Sequence, residues 1–475
     1  MLIRAALAAT LLAALQALAA GDPLTTVAER SQYRTTGRYP EVLELCAAFE
    51  RAHPKAVRCI TFGRTPEGRP MLAVVASRGG WLTAEDARRN KLPVVLVQGG
   101  IHAGEIDGKD AGFLALRQML EGRAAKGALE KVVLVFVPVF NVDGHERWGR
   151  WNRPNQRGPE EMGWRTTSQN YNLNRDYAKA DSAEMQAMLR LIQEWDPIAC
   201  IDLHVTDGAK FQHDVAIMVE PVNAGDEAMR KAGRELRDGV IADLASSGSL
   251  PLPFYPSFVT SDDPASGIED WVPPPRFSHG YFHLRNRFGM LVETHAWKDY
   301  ATRVRVTRNT VISVMQRAAA SGRTWIAAAQ DADRRAAALG GQSVALSYKA
   351  DATARTIDFR GYQYSRTMSD VSGVTMTRYD ESKPQVWKIP LRDDVRPLLS
   401  VTMPKAGYVV PPAYASIVAE KLSLHGVAFR TISTSFARAP LEAFRASKVT
   451  FSATPSEGHQ RVALEGRWAG EPREI

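Results

Sequence analysis

His102 and Glu105 place an imidazole and a carboxylate three residues apart in the segment Gly99-Gly-Ile-His-Ala-Gly-Glu105, where glycines let the backbone fold tightly round a small ion. A hydrolytic zinc site takes three protein ligands from His, Asp and Glu and keeps one position open for water. The third donor is expected at His204, in Asp202-Leu-His204. The spacing alone is a weak signal. With 10 histidines and 52 acidic residues in 475, about one His-x-x-acid match arises by chance, and the chain has two, the second being His204-Val-Thr-Asp207. Placement adds weight, because each match directly follows an apolar run that reads as a strand, and two strands of one sheet can bring their ends to a single ion. Taken singly, either histidine has a solvated or core position as its ordinary alternative. His213, His279, His283 and His295 are spare donors without that setting.

A further carboxylate, Glu293, ends the apolar run Gly289-Met-Leu-Val-Glu-Thr-His. A buried carboxylate is costly unless it is paired or used. A structural ion pair is one reading. The other is a general base that takes a proton from attacking water and passes it to a leaving amine. Between residues 147 and 175 stand six arginines, 147, 150, 153, 157, 165 and 175, interleaved with Trp148, Trp151 and Trp164. Such a loop suits a solvated cation–π surface or a single-strand nucleic-acid groove. Beside an ion it would offer guanidinium forks for a carboxylate or a developing oxyanion.

The elements that must position these groups alternate in type. Helical spacing covers 40–52, with proline in the first turn, and strand patterns at 57–62 and 71–76 flank a Thr-Pro-Glu-Gly-Arg turn, which predicts a hairpin. Strands follow at 92–98, 132–139, 198–203 and 290–293, separated by helices at 107–121, 183–195 and 227–245. This order predicts an α/β fold with a mixed, mostly parallel sheet covered by helices on both faces. Reactive groups in such sheets gather at the carboxyl ends of strands, where His102, His204, Glu293 and the Asn141-Val-Asp-Gly144 turn all fall. Two irregular stretches, 145–177 and 250–279, are the expected walls of a cleft. A helix over 303–330 closes the main domain, taken as 21–335. From 343 to 475 alternating segments predict a smaller β-rich module.

Apolar residues make up 45 % and charged residues 24 %, which predicts a packed globular protein rather than a disordered one. The formal charge of +8 is spread along the chain without a run of four bases, so nucleic acid is not the expected partner. Residues 1–20 begin Met-Leu-Ile-Arg and continue as an Ala/Leu run ending in small residues, the pattern of a cleaved export signal. The expectation is therefore a periplasmic or secreted protein without a stable membrane span. Three cysteines are too few for a disulfide scaffold; Cys46 and Cys59 either bridge or pack as small apolar residues.

Five motifs in order, His102-Ala-Gly-Glu105, Asn141-Val-Asp-Gly144, Asn172-Leu-Asn-Arg-Asp-Tyr177, Asp202-Leu-His204 and Leu291-Val-Glu293, resemble the metallocarboxypeptidase family of zinc exopeptidases, over about residues 25–330. The resemblance implies one zinc ion on His102, Glu105 and His204, with Glu293 as general base. It further implies that Asn174 and Arg175 hold the terminal carboxylate of a peptide substrate. For the family's carbonyl-polarising arginine, Arg153 is chosen from its Trp-Asn-Arg context, with Arg150 and Arg157 as alternatives. For its mobile tyrosine, Tyr281 is chosen over Tyr255. One departure stands out: Asn172 occupies the place of an aspartate that supports a metal histidine, so another group is expected to orient that ligand.

The function so implied is hydrolysis of C-terminal peptide bonds. Two alternatives remain: a cell-wall peptide amidase or small-amide deacylase at the same site, and a non-catalytic exported binding protein. The chain lacks a Gly-x-Ser-x-Gly elbow, a phosphate-binding loop and a His-Glu-x-x-His helix, so serine hydrolases, nucleotide hydrolases and thermolysin-type enzymes lose their usual signals.

Overall fold

A computed structural model describes residues 22–435 and 437–474. The expected export signal lies outside the described residues. The hairpin is present as β1 (Val57–Arg64) and β2 (Pro70–Ala76), and the helix before it, Tyr39–Ala52, is joined to β1 by a Cys46–Cys59 disulfide with 5.7 Å between Cα atoms. Next come β3 (Val94–Gly99), the helix Asp107–Leu120, β4 (Val133–Val137), the helix Ala183–Trp195, β5 (Ala199–Val205) and β6 (Val215–Glu220). The helix Glu227–Ser246, short β7 (Pro251–Leu252) and β8 (Ile268–Glu269), the helix Ser278–Leu284, β9 (Phe288–Thr294) and the helix Tyr300–Ala336 follow.

Eight strands form one sheet in the order β1-β2-β4-β3-β5-β9-β6-β7. Its centre, β4-β3-β5-β9, is parallel. Every residue of those four strands is buried, which is why they read as continuous apolar runs rather than alternating ones. An additional strand, β6, lies outside the expected set and runs antiparallel beside β9.

The register of this sheet places the site. Gln98 of β3 lies opposite Asp202 of β5, and His204 of β5 opposite Glu293 of β9. Side chains two apart share a face, so Asp202 and His204 emerge together while Leu203 turns to the other side. There Leu203 packs on the first turn of the helix Asp107–Leu120, where a Cβ at Gly108 would come within 2.8 Å of the Leu203 Cβ. Gly100, at φ +61°, turns the chain out of β3 toward His102.

A buried polar anchor fixes that helix behind the site. Asp107 accepts from Thr294 Oγ1 of β9 at 2.8 Å and from Arg303 Nε of the last helix at 2.9 Å. The same guanidinium donates to the carbonyls of Arg157 at 2.8 Å and Gly158 at 2.7 Å, so Asp107 and this one cation together tie the helix, β9 and the long loop.

The C-terminal part is β-rich, as expected, with β10 (Ser343–Ala350) paired to β13 (Val395–Thr402), β11 (Arg355–Met368) to β12 (Thr375–Arg392), and β14 (Ala439–Phe451) to β15 (Val462–Arg473). A helix, Pro412–Leu424, interrupts it against expectation. Its apolar residues are spread round the axis, none is buried, and no helical stripe marks it in the sequence. The β11–β12 ribbon packs on the cleft wall: β12 runs parallel to β8, and Phe359, Trp387, Ile389 and Leu391 share an apolar cluster with Phe211, Leu252 and Phe254. Among the described residues, no helix is long and apolar enough to cross a membrane.

Candidate metal centre and cleft

His102, Glu105 and His204 converge as the sequence reading expects, all three buried, with one ligand atom of each lying within 4.8 Å of the others. His102 Nδ1 is 3.1 Å from Glu105 Oε1, and His204 Nδ1 is 2.9 Å from Glu105 Oε2. Among the described residues this is the one cluster of three or more such side chains able to hold a metal.

The outer nitrogens decide whether the donors fit a cation. His102 Nε2 lies 3.1 Å from Asn172 Oδ1, which also accepts from the Asn174 amide at 3.1 Å. His204 Nε2 lies 2.9 Å from Asp202 Oδ2, at an angle too bent for a good hydrogen bond. In the tautomer that turns each Nε2–H to its oxygen, each Nδ1 lone pair faces inward, the arrangement that metal-ligating histidines show. Asp202 is itself fixed by Ser278 Oγ at 2.5 Å and Gln98 Nε2 at 2.8 Å, and Gln98 accepts from Tyr177 Oη at 2.7 Å.

Asn172 therefore corrects one expectation. No other group is needed to orient His102, because an amide oxygen accepts the ring N–H as a carboxylate oxygen would, without the charge. Replacing Asn172 with alanine is expected to weaken zinc binding roughly 10–100-fold while leaving the fold's stability nearly unchanged. Calorimetric zinc titration beside urea denaturation checks both.

The charges in the centre are strongly perturbed. Burial raises the Glu105 carboxyl, but His102, Arg153 and the close contacts of the two imidazoles outweigh it and hold Glu105 well below its ordinary value. Burial is the chief cause that takes His102 down to about 4, with Arg165 and His204 adding to the fall against Glu105. At His204 burial pulls the same way, but Asp202 and Glu105 outweigh it and hold His204 well above its ordinary value. Burial also pushes Glu293 up to about 8; Glu105 and Asp207 add to the rise, against His204 and Arg153. A carboxylate so poised, beside the triad but outside it, suits proton transfer near neutral pH.

A cavity of about 310 Å³ opens beside the triad, and Asn174, Arg175, Glu293, Arg165 and Tyr255 are on its wall. Asn174 and Arg175 leave the short 3-10 turn Leu173–Arg175; Asn174 Oδ1 accepts from the Ser278 amide at 3.2 Å, and the Arg175 guanidinium stacks 4.1 Å above the Phe277 ring.

Two sequence choices land elsewhere. Arg153 does not line the cavity: it is 6 % exposed and sits behind Glu105, with Nη1 2.8 Å from Glu105 Oε1 and Nη2 3.0 Å from Asp207 Oδ1. Of the long loop's arginines it is Arg165, with Nη1 3.2 Å from Glu105 Oε1, that joins Arg175 on the cleft wall. Arg150 stacks on Trp151 and Arg157 pairs with Glu381, both away from the cavity. Tyr281 is also off the wall, because its hydroxyl meets His425 Nδ1 at 3.1 Å, whereas Tyr255 lines the cleft. The signal for Arg165 was its place among the interleaved Trp and Arg residues, which did not separate it from its five neighbours.

A mixed sheet that brings two histidines and a glutamate together at its strand ends, beside a cleft with a further carboxylate and two arginines, offers a donor set that fits a metal ion. Residues 42–214 match the family model described as zinc carboxypeptidase. Metallopeptidase is the broad activity that this match and the metal-ready triad support. Among curated proteins no relative matches. Similar solved structures include bovine thrombin-activatable fibrinolysis inhibitor in complex with tick carboxypeptidase inhibitor, at 12 % identity over 63 % of this chain and 99 % of that one, with TM-score 0.44. Carboxypeptidase A from Helicoverpa armigera is 15 % identical over 64 % and 74 %, with TM-score 0.42. A metallo-carboxypeptidase from Burkholderia cenocepacia is 17 % identical over 57 % and 68 %, with TM-score 0.41.

Proposed function

We propose that the protein is a zinc-dependent exopeptidase that removes residues from the free C-terminus of peptides. The observation that carries this reading is the shared cavity, in which a guanidinium able to hold a carboxylate, Arg175, faces the same space as His102, Glu105 and Glu293. His102, Glu105 and His204 would hold one zinc ion, which supplies Lewis-acid polarisation and lowers the pKa of water. Arg175 and Asn174 bind and orient the terminal carboxylate, which places the last peptide bond beside the triad. Glu293 takes the proton from the attacking water and delivers it to the departing amine. Arg165 replaces Arg153 as the arginine for the developing oxyanion, since it lines the cleft while Arg153 holds Glu105 from behind.

Export to an oxidising compartment belongs to the same proposal, supported by the apolar N-terminal run and by the Cys46–Cys59 disulfide. The reading is tested with two peptides identical except that one ends in a free carboxylate and the other in an amide. A preference of about 100-fold in kcat/KM for the free acid is expected from loss of a charge-assisted guanidinium–carboxylate contact. Equal cleavage of both would replace the exopeptidase reading by an amidase or endopeptidase one.

A further inference from the structure

The C-terminal elements close on the segment that carries the anchoring arginine. Lys421, in the helix Pro412–Leu424, donates Nζ to the carbonyls of Lys179 at 2.6 Å and Ala180 at 2.9 Å and lies 3.2 Å from Asp181 Oδ1. His425, at the end of that helix, places Nε2 3.0 Å from the Ala178 carbonyl. From the turn between β14 and β15, His459 Nε2 meets Asp181 Oδ2 at 2.6 Å, and the Glu457 carbonyl accepts from Lys179 Nζ at 3.1 Å. Residues 178–181, three positions beyond Arg175, are thus gripped by two separate C-terminal elements.

The tip of that turn is sharply defined. Ser456 and His459 bridge, and the two residues between them, Glu457 and Gly458, both take left-handed φ, +52° and +77°. Two such residues make a tight turn that matches the twist of its strands. It projects Glu457 toward the cleft, with Oε1 3.9 Å from Arg175 Nε.

We propose that Glu457 is an internal competitor for the carboxylate anchor, a side chain that occupies Arg175 in the free enzyme and must be displaced by the terminal carboxylate of a peptide. The inference rests on the reading of Arg175 as that anchor. Arg175 Nη1 already donates to its neighbour's carbonyl, Asn174 O, at 2.8 Å. With one Nη1 hydrogen so engaged, the edge that pairs Nε with Nη2 stays open for a forked contact, Nε is the atom Glu457 approaches, and one such edge takes one carboxylate at a time. The anchor also gains from a partner: burial pushes Arg175 below the usual arginine value, and Arg165 and Arg276 push it the same way, while Glu457 opposes them. Glu457 thus serves as a stand-in until substrate arrives, and it sets the affinity threshold a peptide must exceed.

The contact is long and the Glu457 side chain is 36 % exposed, so the competition is modest. In the full-length protein, Glu457→Gln is expected to lower KM for a free-acid peptide about two- to five-fold with kcat unchanged. The amidated peptide, which does not need the anchor, should not respond. An unchanged KM overturns the competition.

Hydrogen exchange over residues 452–461 supplies a readout independent of turnover. Glu457→Gln should speed exchange there without ligand, and saturating N-acetylphenylalanine, a free carboxylate that carries no further peptide bond, should do so in the wild type. Unchanged exchange in both overturns the contact. If the wild type cleaves neither peptide, the exopeptidase reading fails on its own, and exchange in ligand-free Glu457→Gln still decides whether Glu457 holds the turn.

Discussion

Glu293→Gln is expected to lower kcat/KM by roughly 10³-fold while zinc stays bound at one per chain. The amide keeps the shape of the side chain and fills the same buried place at the end of β9, so the strand and its register with His204 should persist. What it loses is the lone pair that accepts the proton of the attacking water. The carboxylate is not one of the three converging donors, so metal analysis should not distinguish the variant from the wild type.

The pH profile makes the assignment sharper. A base works only when deprotonated, so activity falls as pH drops through the pKa of Glu293. Burial sets that value at about 8 in the metal-free protein, against an ordinary 4.5, and a nearby dication pulls it down. The acidic limb of kcat/KM is therefore expected between those two values and should vanish from the residual activity of the glutamine variant. Full activity in Glu293→Gln with zinc present would remove Glu293 from the mechanism.

Glu105→Ala is expected to act on both metal and stability. Its carboxylate meets both Nδ1 atoms of the triad and also the guanidinium of Arg153, which is almost wholly enclosed. Removing one partner of a buried pair leaves the other charge uncompensated, at a cost of about 3 kcal/mol, the low end of the usual range because Asp207 still accepts from Arg153. Zinc affinity should fall further than the roughly 10–100-fold of an outer-sphere change such as Asn172→Ala. Urea unfolding of the metal-free protein separates the two effects: the alanine variant should unfold at lower urea even with chelator present. Equal midpoints for variant and wild type under chelation would contradict the role given to the Arg153–Glu105 pair.

The parts of the fold visible in the sequence are those whose causes are local. The helix Ala183–Trp195 is read to the residue because Ser182 caps its first turn through the Met185 amide at 3.2 Å and its apolar positions keep helical spacing. The parallel core strands are read from unbroken apolar runs, and the triad from its position just after two of them. What escapes depends on where chains meet. Val215–Glu220 is a short apolar run whose place between β9 and β7 no local signal gives. Arg153 and Arg165 share a loop and a tryptophan-rich setting, and only tertiary packing puts one behind Glu105 and the other on the cleft wall. Tyr281 and Tyr255 differ likewise by direction, since the helix Ser278–Leu284 turns the first toward His425. The docking of Lys421, His425 and His459 on residues 178–181 joins positions more than 240 apart in the chain, beyond the reach of periodicity.

The most direct test of the metal centre is anomalous diffraction at the zinc edge from crystals grown with one equivalent of zinc. The proposed centre requires a single peak within about 2.0–2.2 Å of His102 Nδ1, His204 Nδ1 and a Glu105 oxygen, with its free side toward Glu293. No peak there, or a peak held by other side chains, would contradict it.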